Sequence, residues 1–262
     1  MKETPLRIEL GDKPFFDFIA AVQSFARAHE TECWFRGHSN AEWSLVPSVF
    51  RTASSALAES ATAARFRRAA RIRHRDCPPR DDLSAWLQLM QHYRLPTRLL
   101  DWTESPLIAL FFAVEANPQD DAIVWCLNPF GLAYKGYGEA TVASPDDGRA
   151  SALLAQPFAQ LAERTDLAIP MLGDEVDIRM LMQMAAFTLH GNERPLEQRP
   201  EAAGILTGIH IPAKLKAHMR TMLEVLGIRR SNIFPDLESL SRELSEAEWK
   251  FLDEELSRDG SK

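Results

Sequence analysis

Two prolines, Pro96 and Pro106, constrain this chain more than any other pair of its residues. Trp86, Leu87, Leu89, Met90 and Tyr93 recur at helical spacing, and Pro96 forbids that helix from running much past Arg94. Pro106 does the reverse. Ser105 before it is a good N-cap, and the apolar run Leu107–Val114 follows, so a second helix is expected over Pro106–Glu115. The stretch between reads as a short loop carrying Arg98, Asp101, Trp102, Thr103 and Glu104, with His92 just before it. Two helices buried side by side have no packing need for so many polar groups in their connection. Those groups either satisfy one another or face a ligand.

Around this stretch the chain reads as α+β. A short extended piece is expected at Leu6–Leu10 and a helix over Phe15–Ala28, with Phe15, Phe16, Phe18, Ile19, Val22 and Phe25 on one broad face. Glu32–Phe35 reads as a strand closed by Arg36-Gly37. A glycine there implies a turn too tight for a Cβ or the close approach of a ligand. His38–Glu42 reads as polar loop and Trp43–Pro47 as a second extended piece. Ala53–Ala64, rich in Ala, Ser and Thr, reads as partly mobile, with a basic helix after it, and a helix is expected over Leu83–Arg94. Further strands are expected at Ala122–Leu127, Ala185–His190 and Ile205–Ile211, and loop from Gly131 to Arg149. Ala150–Gly173 is mixed and Val176–Met184 helical. Pro212 starts a helix through Leu226 that Gly227 stops. Ser245 with Glu248 has the pattern of a capping box for a last, acidic helix over 241–262. The expected architecture is a central mixed or antiparallel sheet, or two packed sheets, covered by helices, in a single domain of 1–262 with its core at about 15–240.

A length of 262 residues allows one sizeable core or two small ones. The charged N-terminus lacks the apolar run of a signal peptide, and Leu107–Val114 is far short of the roughly 18–20 residues that span a bilayer. A cytoplasmic protein without a membrane partner is expected. Cys33, Cys77 and Cys126 are too widely spaced for a zinc ribbon or a disulfide framework, and no histidine pair has metal-ligand spacing, so no metal is expected. P-loop, Rossmann and serine-hydrolase signatures are absent. The net charge of −7 argues against a broadly positive surface. Yet Arg65, Arg67, Arg68, Arg71, Arg73, Arg75 and Arg80 crowd one span, while Asp236 to Asp259 is acidic. The basic span is either a helix for phosphate backbones or a solvated face paired with the acidic C-terminal helices.

Several motifs together resemble the FRG domain. They are Trp34-Phe35-Arg36-Gly37, the run Leu95-Pro96-Thr97-Arg98-Leu99-Leu100-Asp101-Trp102-Thr103 with Ser105-Pro106, and Phe234-Pro235-Asp236-Leu237. Arg179, Gln183, Phe187, Thr188 and His190 are similar to the later segment of that family, with Ala185 standing where a glycine is expected. A more distant resemblance is to mono-ADP-ribosyltransferases, which implies a fold of that type with NAD as substrate. It implies that Arg36 holds a phosphate or ribose of NAD, that Thr103 and Ser105 stand in for a hydroxyl-bearing strand, and that Gln183 takes the place of a catalytic glutamate. Glu175, Asp177 and Glu193 are the nearby carboxylates that would replace it. On this reading Arg36, Thr103 and Gln183 are catalytic, and Arg36, Gly37, His92, Arg98, Asp101, Trp102 and Ser105 bind the nucleotide. The alternative for Arg36 is a structural pair with Asp101, and for Arg98 a local pair with the same residue.

Three function classes follow. One is an NAD-using transferase or glycohydrolase acting on an unknown acceptor macromolecule, as a toxin or anti-phage effector. Another is a nucleic-acid binder or RNA-directed enzyme using Arg65–Arg80. The last is a module that binds a nucleotide-like small molecule or a protein without catalysis.

Overall fold

The computed structural model describes residues 5–159, 165–173, 178–245 and 248–249. Among the described residues seven strands form one mixed sheet: β1 (Leu6–Ile8), β2 (Trp34–His38), β3 (Leu99–Thr103), β4 (Ala122–Leu127), β5 (Ala168–Met171), β6 (Ala185–His190) and β7 (Leu206–Ile211). Their order is β1-β7-β4-β2-β3-β6-β5, antiparallel throughout except for β1 beside β7. The fold is α+β, with helices on both faces of the sheet.

Side chains alternate across the strands, so each face builds its own core. On one face Phe35, Val124, Cys126, Ile209 and Ile211 meet α1 (Pro14–His29), α4 (Pro106–Val114) and α8 (Lys216–Val225). On the other, Trp34, Ile123, Trp125, Leu127 and Leu206 pack with Leu45, Leu132, Leu196 and Ile205. Farther along the sheet, Leu99, Phe187, Leu189, Ile169 and Met171 bury a third cluster. It is shared with α2 (Ala53–Arg73), α3 (Leu83–His92) and α6 (Gly148–Ala155).

The two halves of the sheet meet at a narrow seam. β2 and β3 share one registered pair, Phe35 with Thr103, whereas β2 pairs five residues with β4 and β3 pairs five with β6. Across this seam lies α4, capped by Ser105, whose hydroxyl accepts from the Ile108 amide at 3.4 Å. The helix comes so close to β2 that a Cβ on Gly37 would stand 1.9 Å from the Ala109 carbonyl oxygen and 2.7 Å from the Ala113 nitrogen. Glycine at 37 is therefore demanded by helix-on-strand packing, not by a turn or a ligand, and β2 continues past it to His38.

Other expectations also change. The polar connection between the prolines is a strand, β3. The Gly131–Arg149 loop contains α5 (Pro129–Tyr137), begun by Asn128 as N-cap and ended at Gly138 with φ +83°. Within 150–173 lie most of α6 and the edge strand β5, where Pro170 is tolerated because an edge needs no ladder donor on its open side. Ala53–Ala64 is the first half of one continuous helix with the basic span, and Trp43–Pro47 forms no strand. The left-handed residue before β6 is Met184, φ +47°, so Ala185 needs no glycine-like backbone. Val176 lies outside the described residues, and α7 runs over Ile178–Met182. Ser245 is itself helical, its hydroxyl donating back to the Ser241 carbonyl at 2.9 Å, and the first turn it is expected to cap lies partly outside the described residues. Of the acidic segment 241–262, residues 246, 247 and 250–262 lie outside the described residues.

Candidate functional site

Where β2 and β3 part, the fold opens a cavity of about 560 Å³. Its floor is β2 and β3; α3 forms one wall, and α7 with the start of β6 forms another. Arg36 stands at the seam. Its Nη1 donates to the Asp101 main-chain carbonyl at 2.5 Å and lies 3.8 Å from the Asp101 carboxylate. The guanidinium thus takes a strand carbonyl at the point where the ladder opens. Nε of Arg36 donates to His38 Nε2 at 3.0 Å, and His38 Nδ1 donates to the Trp43 carbonyl at 3.1 Å. The two bonds fix one neutral tautomer. Burial, then the Arg36 charge, push the His38 pKa down to about 3. Burial lowers Arg36 to about 10, with Asp101 working against that and Arg51 with it, so the guanidinium stays charged at neutral pH.

Asp101 projects from β3 into the cleft with its side chain 54% exposed. Gln91 Nε2 donates to both its oxygens, at 2.9 and 3.0 Å. The amide of Gln91 is oriented in turn, because its Oε1 accepts from the Thr97 hydroxyl. Thr103 is buried, and its hydroxyl accepts from the Ser105 amide at 3.1 Å. Gln183 donates from Nε2 to the Ile233 carbonyl at 3.3 Å. Trp102 donates to the Thr188 hydroxyl at 3.0 Å, and that hydroxyl is hydrogen-bonded to Nε2 of fully buried His190 at 2.8 Å. Desolvation first, then Arg199, Arg36 and Arg98, hold His190 well below the usual histidine range.

Of the sequence-selected residues, Arg36, Gly37, His92, Asp101, Trp102, Thr103 and Gln183 line this one cleft. Arg98 and Ser105 do not. Arg98 turns into the core, where Nε and Nη2 clasp Glu59 at 2.9 and 2.5 Å and Nη1 donates to Gln156. The local pair of Arg98 with Asp101 does not form; α2 supplies the carboxylate instead. Ser105 is spent on capping α4. Glu193 follows the far end of β6, away from Gln183 at its near end, while Glu175 and Asp177 lie outside the described residues.

Residues not singled out from sequence complete the lining, among them Trp43, Arg51, Gln88, Gln91 and Arg94. The available signals were Gln88 and Gln91 one turn apart on an otherwise apolar helix, and the alternation that puts His38 on the face of β2 that carries Arg36. Arg36, Arg51 and Arg94 bring cations to the lining beside Arg179, which is engaged with Phe234, and Asp101 and Glu115 bring carboxylates. Glu115 is already paired with Arg230. The surplus of guanidinium groups suits an anion. Half-exposed Trp43 adds an aromatic surface at the rim.

Among the described residues no helix is long and apolar enough to cross a membrane, and no three His, Cys, Asp or Glu side chains gather as metal ligands do. Residues 31–122 match the FRG domain family, a span that takes in Arg36-Gly37 and the whole run from Leu95 to Pro106. The chain carries an FRG domain. Comparison with curated proteins found no match, and comparison with solved structures found none.

Proposed function

We propose that this FRG-domain protein binds a phosphate-bearing nucleotide in the seam cleft, with NAD as the ligand, and that it acts on NAD as a transferase or glycohydrolase. The observation that carries the reading is the state of Arg36. Its five N–H donors include one committed to His38 and one to the Asp101 carbonyl; the other three make no hydrogen bond among the described residues, and the Asp101 carboxylate stands 3.8 Å from Nη1. A guanidinium fixed from behind, beside a cleft lined by further arginines, has the arrangement that a pyrophosphate requires. Trp43 at the rim offers a face for a base.

The residues divide the work. Arg36 and, nearer the rim, Arg51 neutralise phosphate charge. His38 holds Arg36 in register without adding charge of its own. Gln183 and Thr103 lie together on the β3–β6 side of the seam and present an amide and a hydroxyl there. Calorimetric titration with NAD tests the proposal directly. Arg36→Lys keeps the charge but loses the fork, and is expected to weaken NAD binding about tenfold or more while the thermal midpoint stays close to wild type. Equal affinity for both proteins, or no heat of binding in wild type, ends the reading.

A further inference from the structure

We infer that Asp101 is the carboxylate that acts on the NAD ribose, and that Gln91 is the residue that positions it; this rests on the NAD reading above. Gln183 cannot supply a negative charge, and Glu193 lies at the other end of β6. Among the described residues that line the cleft, the carboxylates are Asp101 and Glu115, and Glu115 is engaged by Arg230.

The way Asp101 is held is what marks it. A carboxylate kept for structure is neutralised by a buried cation, as Glu59 is by Arg98, with side chains 9% and 3% exposed. Asp101 is instead half exposed, and its direct side-chain donor is the neutral amide of Gln91. An amide fixes direction and leaves the negative charge in place. Arg36, at 3.8 Å from the carboxylate, is beyond hydrogen-bond range and spends its bond on the main-chain carbonyl instead. Behind Gln91, the Thr97 hydroxyl sets which end of the amide faces Asp101, and the Ser48 hydroxyl accepts from the Thr97 amide at 3.1 Å. Three residues, Gln91, Thr97 and Ser48, therefore act in series to aim one carboxylate into the cleft.

The chemistry balances. The bond between ribose C1′ and the pyridinium nitrogen breaks heterolytically, and its electron pair leaves with neutral nicotinamide. C1′ becomes an oxocarbenium centre, which the Asp101 carboxylate faces. A water oxygen, or an acceptor oxygen or nitrogen, adds its lone pair to C1′. The proton it sheds passes to Asp101 and then to solvent.

Nicotinamide release and NAD binding, measured on the same proteins, decide the matter. Asp101→Asn is expected to lower turnover about 100-fold or more, with NAD affinity and thermal midpoint near wild type. Formate is expected to restore part of the turnover of Asp101→Ala. Gln91→Ala should lower kcat with little change in KM, which a purely structural role would not do. Gln183→Glu should leave Asp101→Asn inactive when the two are combined. Near-normal turnover in Asp101→Asn overturns the assignment, as does loss of NAD binding in step with activity. A wild-type protein that binds NAD but releases no nicotinamide overturns the inference and leaves the binding proposal standing. One that does not bind NAD overturns both.

Discussion

Arg98 and Arg36 meet their carboxylates in opposite settings. The Arg98 guanidinium and Glu59 are both buried, locked by two parallel hydrogen bonds, with Gln156 taking a third donor and the Phe50 ring 5.5 Å from the guanidinium carbon. Every element there comes from inside the protein: the start of β3, α2 and the residues after α6. Around Arg36 the fold supplies a neutral histidine and a main-chain carbonyl, and leaves the nearby carboxylate half in solvent. The first site closes a charge, while the second keeps one open. What separates a structural arginine from a binding one here is whether the fold delivers its counter-charge.

The largest expected effect breaks the closed site. Arg98→Ala strands the Glu59 carboxylate in the core and should cost about 3–5 kcal/mol, read as a fall in the urea midpoint. Replacing the pair together, Arg98→Met with Glu59→Leu, should cost less than Arg98→Ala alone, since no unpaired charge is left behind. Arg36→Lys measured alongside should barely move the midpoint. Equal losses at both sites would erase the contrast.

A smaller effect comes from protons. Unfolded, His38 binds a proton below about pH 6.5; folded, it does so near pH 3. The unfolded state therefore holds more protons between those values, so stability rises with pH across that window. The contribution is complete above about pH 6.5 and is lost as the pH falls toward 3, by about 1.4 kcal/mol per unit. His190, also lowered, acts in the same direction. His38→Gln keeps an acceptor for Arg36 and a donor for the Trp43 carbonyl but cannot titrate. Urea midpoints at pH 7.5, 6 and 5 should fall less steeply for this variant than for wild type. Parallel curves would mean that the ring is not held neutral.

These contrasts also explain what the sequence made legible. α1, α3, α4, β4, β6 and β7 were readable because each has one period and little else to do. β3 was not, because Asp101 interrupts the apolar residues of a five-residue strand, and that aspartate is polar for the sake of the cleft rather than the sheet. The feature that hides the strand is the one that marks the site. α5 carried its signals in plain view, Asn128-Pro129 before it and Gly138 after it, yet Gly131 and Gly136 within it read as loop. Gly37 signals a close approach, but no local pattern reveals that the neighbour is α4, with Ala109 and Ala113 against it. The partner of Arg98 is hidden for the same cause: Glu59 lies 39 residues away.

The smallest expected effect repeats the comparison along α2. Arg67 is half buried, its guanidinium 5.2 Å from the Trp86 ring and 4.9 Å from that of Phe158, and it donates to the Arg80 carbonyl. Arg68 and Arg71 are exposed, and among the described residues neither pairs with the acidic C-terminal segment. Arg67→Ala should cost about 1–2 kcal/mol through lost ring contacts. Arg68→Ala and Arg71→Ala should each stay within about 0.5 kcal/mol of wild type. The same two variants test whether this ridge holds nucleic acid. Each phosphate contact removed would shrink the slope of log affinity against log salt by about 0.9 on duplex DNA. Trp86 and Phe158 are covered by Arg67, and the exposed ring beside this ridge is that of Tyr93, packed against Phe66 and His74. A slope of zero in wild type would leave Arg68 and Arg71 as solvated charge. A steep slope that flattens in the double variant would give the protein a second anion site on α2, distinct from the Arg36 cleft.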